Sequence, residues 1–128
     1  MPAVPVLREI VRQHAEMAAF LWTVYDHHLL HPDENPDMDE ERLARLVERL
    51  EAHLDGLRVA GEAGLEIAKE RYAEFPEAGE LFVVRMLSGP PDMRIRELDL
   101  DKVRHYLRVT LETPGIGGRR TPSDPQIT

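Results

Sequence analysis

The stretch "HLDGLRVAGEAGLEI", residues 53–67, places Gly56, Gly61 and Gly64 inside what otherwise reads as one long amphipathic helix. A glycine in a helix interior costs about 1 kcal/mol relative to alanine, so a helix carrying three must gain something from them. Around them the apolar positions run Leu43, Val47, Leu50, Leu54, Leu57, Gly61, Gly64 and Ala68, in alternating steps of four and three without a slip. That is the period of a helix burying one stripe. A flank of Leu46, His53, Ala60 and Ile67 broadens it, which suits a packed bundle better than an isolated two-stranded coil. The unslipped steps predict one continuous helix over about 38–72. Its seam tapers from leucines to bare backbone at Gly61 and Gly64, where another helix approaches closely or inserts a bulky side chain. Met17, Phe20, Trp22 and Tyr25 are the candidates for that insertion. Gly56 lies off the seam and has no packing role in this reading. The competing reading is a break between Gly56 and Gly64.

Working outward, residues 5–30 predict the first helix, with Pro5 at a first helical position, where its missing N–H has no partner in any case. Its stripe is Leu7, Ile10/Val11, His14, Met17/Ala18, Leu21, Val24/Tyr25 and His28, with Trp22 beside it. "HPDENPD" stops that helix, since Pro32 and Pro36 push their preceding residues out of the α region. Asp37 is the expected cap of the second helix, with Glu40 at capping-box spacing. A third helix is expected over 77–88, apolar nearly all round and therefore central. "DMRIREL" alternates weakly, as an extended segment would. A short fourth helix is expected over 100–112, capped by Asp99. Residues 113–128, "TPGIGGRRTPSDPQIT", hold almost nothing to bury and read as a flexible tail. The fold class is all-α: a three-helix bundle with a short fourth helix, forming one helical domain over 1–112.

Composition narrows the function classes. The chain has 128 residues, no cysteine and a net charge of −8. Residues 1–84 hold 18 acids against 8 arginines and lysines, so the body is acidic and the remainder slightly basic. A nucleic-acid partner would need a basic face to replace counterions. Thiolate chemistry, disulfides and cysteine-based zinc sites are excluded. "MPAVPVLREIVRQ" lacks the pattern of a signal peptide, and "MAAFLWTVY" is far short of a bilayer span, so a cytoplasmic location without membrane partners is expected. Gly115, Gly117 and Gly118 lack the strand and lysine context of a phosphate loop. The carboxylates at Glu40/Glu41 and Glu48/Glu51 fall on a solvated face, and no nucleophile elbow is present. No enzyme activity and no cofactor are implied.

One cluster carries possible chemistry, "YDHHLLHPDE". His27 and His31 stand at i, i+4 on one helical face, with Asp26, His28, Asp33 and Glu34 nearby. They are the candidate metal ligands, and a metal-binding hemerythrin-like bundle is the alternative function. Two features speak against it. The third helix offers only Glu77 and Glu80, and the imidazoles fall at a helix C-terminus, where they suit the dipole and open carbonyls without an ion. His14 and His53, on the apolar faces of the first two helices, read as half-buried hydrogen-bonding residues.

Three segments together resemble a family: "VLREIVRQHAEMAAFLW" at 6–22, "RLVERLEAHLDGLRVAGEAG" at 45–64 and "PEAGELFVV" at 76–84. They look like the N-terminal segment of an uncharacterised bacterial family with HEAT-like helical repeats, often encoded beside type VI secretion genes. The resemblance covers about residues 6–87. It implies a protein-binding role around secretion and carries no catalytic residue. Family members continue into stacked helix pairs after the third helix, whereas residues 88–128 show no repeat, which puts the family's scaffold surface in doubt here. The expected function is therefore non-enzymatic protein contact, as an adaptor or immunity-type partner of an effector, with another protein or a second copy as partner. The candidate packing or partner surface is Trp22, Tyr25 and Leu29 on the first helix, and Leu57, Gly61 and Gly64 on the second.

Overall fold

A computed structural model describes residues 5–112, with side chains from residue 8 onward. The flexible tail expected over 113–128 lies outside the described residues. The fold is all-α. Helix α1 runs Pro5–Leu30, α2 Glu40–Val59, α3 Glu62–Glu74 and α4 Ala78–Ser88; a 3₁₀ turn at Ile95–Glu97 precedes α5, Leu100–Glu112.

Helix α1 is the axis, with α2, α3 and α4 packed against it and against one another, and α5 laid on α4. Its buried face is Val11, Ala15, Ala18, Ala19, Leu21, Trp22 and Tyr25. The indole of Trp22 stacks on Phe82 of α4, with centroids 3.9 Å apart and planes 6° from parallel, a geometry that adds to the gain from burial alone. Three alanines on α1 let its neighbours approach. Gly79, at the start of α4, goes further: a Cβ there would meet the Ala19 carbonyl oxygen at 2.5 Å. As its composition predicts, α4 is central, with Leu81, Phe82, Val83 and Met86 buried. Buried Glu80 pairs with Arg71 at 3.4 Å, and burial pushes its carboxyl above the usual range despite that partner.

The second helix is not continuous. It ends at Val59 and a new helix starts at Glu62. The hinge is Gly61, whose φ of 67° and ψ of −136° lie where a Cβ is strained. Its N–H bonds to the Arg58 carbonyl, and its own carbonyl accepts from Gly64 and Leu65. The three glycines therefore divide the work differently from the tapered seam. Gly61 faces open space and serves the turn. Gly64 sits against the Leu57 carbonyl, so it packs the hinge on itself rather than admitting α1. Gly56 is the one that admits α1, since a Cβ there would lie 2.8 Å from His14 Nε2. The proposed visitors go elsewhere: Trp22 and Tyr25 enter the core, and Met17 and Phe20 stay exposed.

Smaller departures share a cause in local hydrogen bonding. Asp39, not Asp37, caps α2 by accepting from the Arg42 N–H at 2.9 Å. "DMRIREL" forms a 3₁₀ turn that buries Ile95, whose N–H is held by Glu51 at 2.8 Å. Asp99 does cap α5, accepting from Lys102 N–H.

Candidate functional site

The outer face of α1 holds two features that meet end to end. The first is apolar. Ile10, Met17 and Phe20, at i, i+7 and i+10, fall on one side of the helix and are 45%, 36% and 60% exposed. Half-buried Val24 continues the line by one more turn. The opposite side of α1 is the one taken up by the core, which leaves Ile10, Met17 and Phe20 partly exposed, while Val24 packs on the core's edge. The periodicity in the sequence had put Ile10 and Met17 on the buried stripe. The structure turns the helix toward its alanines, because small side chains allow three helices to crowd one side.

The strip runs into the histidine cluster. Helix α1 ends at Leu30, and the His31 N–H still reaches the carbonyls of His27 and His28. The chain then turns, with the Glu34 N–H on the His31 carbonyl at 3.2 Å. This brings Glu34 back over the helix end, where its Oε1 lies 2.8 Å from His27 Nε2. The imidazoles of His27 and His31 stack one turn apart, centroids 4.4 Å. His31 Nδ1 lies 3.2 Å from the His27 carbonyl oxygen. The hydrogen bond from His27 holds the Glu34 carboxyl below the usual range. Beside these groups is a hollow of about 440 Å³ lined by Thr23, Val24, His28, Asn35 and Met38 as well.

Among the described residues, His27, His31 and Glu34 are the one group of three or more such donors placed to share an ion, their donor atoms all within 4.8 Å of one another. They are exposed and lie at one helix end, not between the helices as in a hemerythrin-like core. The sequence placed Glu34 near the histidine pair, and the turn after the helix end is what brings its carboxylate onto His27. His28 stands apart from the three. His14 and His53 pair across α1 and α2, Nδ1 to Nδ1 at 2.9 Å.

The other expected surface residues are packing residues. Trp22, Tyr25 and Leu57 are buried, Leu29 packs on the edge of the core, Gly61 makes the hinge and Gly64 is buried beside it. No helix among the described residues is long and apolar enough to cross a membrane. No family model, curated protein or solved structure matches the chain.

Proposed function

We propose that this chain is a non-enzymatic protein-contact module working through the outward strip of α1. The observation that carries this reading is the exposure of Ile10, Met17 and Phe20 on one face of a helix whose other face carries the core residues Val11 to Tyr25. Full burial of such a side chain from full exposure is worth about 1.5–3 kcal/mol. Covering the part of Ile10, Met17 and Phe20 still exposed recovers a fraction of that from each, so three in line favour a covering partner, whereas scattered apolar residues would need none. The surface differs from the one expected from sequence, because Trp22 and Tyr25 are spent on the core. The finer proposal is an accessory of a type VI secretion locus, as adaptor or immunity-type partner of an effector. Its support is the resemblance over residues 6–87.

Substitution of the strip tests the reading. Met17→Glu with Phe20→Glu removes apolar surface without touching the core, so thermal stability should stay within about 0.5 kcal/mol of the parent. The parent, purified from its source cells or coexpressed with the products of neighbouring genes, should hold a partner or a second copy that the double variant loses. A parent that stays monomeric and retains nothing the variant lacks would refute the contact reading.

A further inference from the structure

We propose that His27, His31 and Glu34 form a binding site for a divalent first-row transition ion of the zinc class. The inference is independent of the protein-contact reading. Two imidazoles and one carboxylate are a donor set that such ions favour over calcium or magnesium, which prefer oxygen alone. The spacing fits. A tetrahedral ion with bonds of about 2.0–2.1 Å keeps neighbouring donors about 3.3 Å apart. Here the closest pair is at 2.8 Å and all lie within 4.8 Å, so small side-chain rotations reach the ligating distances.

The tautomer also fits. A backbone carbonyl only accepts, so His31 Nδ1 must donate to the His27 carbonyl. The lone pair of His31 is therefore on Nε2, free to ligate, with the ring oriented by its other nitrogen as metal-bound histidines usually are. The proton shared by His27 Nε2 and Glu34 is what the ion replaces, and it moves to His27 Nδ1 or leaves to solvent. A histidine–carboxylate hydrogen bond alone would account for His27 and Glu34. It would not account for a third donor, already in the right tautomer, stacked beside them. The three protein ligands leave at least one position for water, the arrangement of an open site rather than a closed structural one.

The probe is zinc alone, added to the chelator-stripped, untagged full chain. Equilibrium dialysis with elemental analysis should find stoichiometric zinc. His27→Ala, His31→Ala and Glu34→Gln should each weaken binding by at least about tenfold, while His105→Ala, an exposed residue of α5, binds like the parent. Nitrogen NMR of the unaltered chain gives a readout free of substitution, with the imidazole signals of His27 and His31 shifting together on titration and those of His14 and His53 unmoved. Absence of stoichiometric zinc would overturn the proposal. So would zinc retained by a folded His27→Ala, His31→Ala double variant.

Discussion

At the scale of single residues, the three glycines of α2 and α3 show how one residue type answers three physical problems. Gly56 removes a Cβ that would collide with His14, Gly64 removes one that would collide with the Leu57 carbonyl, and Gly61 supplies a backbone conformation. Only the last is independent of space, since nothing lies within 4 Å of a Cβ at position 61. Gly61→Ala therefore isolates backbone strain. It should cost about 1–3 kcal/mol, seen as a lower urea midpoint with an unchanged slope. A stability equal to the parent would mean that the hinge relaxes to an ordinary conformation. The sequence showed that these glycines needed a reason, but step counting assigned the wrong one to Gly61 and Gly64 and none to Gly56. Hydrophobic periodicity reports which side of a helix is apolar. It carries no information on whether a missing Cβ serves space or backbone angle.

At the scale of elements, the unslipped four-three pattern survives a real break for a physical reason. Helix α3 begins after two intervening residues, Ala60 and Gly61, and buries Gly64, Ile67, Ala68 and Tyr72 on its own helical period, so its stripe continues the count of α2 in sequence while turning away in space. The central place of α4 was legible because an all-round apolar segment has only one place to go. The buried side of α1 was legible in part. Val11, Ala18, Leu21 and Tyr25 of the expected stripe are buried, but Ala15 and Ala19 are buried as well and Ile10 and Met17 are not, because alanines contribute little to an apolar count yet allow the closest packing. Between α1 and α2 the interface also contains a titrating joint. Of His14 and His53, one Nδ1 must donate and the other accept. Burial, then the neighbouring charges of His14 and Arg49, lower the pKa of His53. A histidine with a depressed folded pKa binds its proton less readily in the folded chain than in the unfolded one. Its contribution to stability is thus complete above the ordinary value near 6.5 and is lost as pH falls below that toward the lowered value. His53→Gln should flatten the decline in melting temperature between about pH 7 and about pH 5. An equally steep decline in the variant would place the acid sensitivity on other groups.

At the scale of the whole molecule, the contacts divide the chain into a tight core and a lightly held end. Helices α1 to α4 share one core, in which the Trp22–Phe82 stack joins α1 to α4 and the leucines of α2 are buried. Helix α5 buries only Leu107 and Thr110 and meets the rest mainly at α4. A hollow of about 360 Å³, lined by Phe82, Met86, Met93, Leu98 and Val103 among others, separates α4 from the approach to α5. Two polar ties span the joint: the Arg104 Nε–H to Asp26 Oδ1, at 2.6 Å, and the Arg85 guanidinium over the Tyr106 ring at 4.1 Å. Segments with few buried apolar contacts open locally below the global unfolding free energy, so α5 should exchange its amide hydrogens before α1 does. Asp26→Asn removes the charge from one tie while leaving an acceptor in place. Because a partly exposed ion pair is worth up to about 1 kcal/mol, the change should raise α5 exchange several-fold and leave the amides of α2 and α4 as they were. Hydrogen exchange resolved by segment checks this. If the amides of all the helices quickened together, α5 would belong to the same cooperative unit as the core, and the Asp26–Arg104 pair would contribute to the stability of the whole bundle rather than to the docking of its last helix.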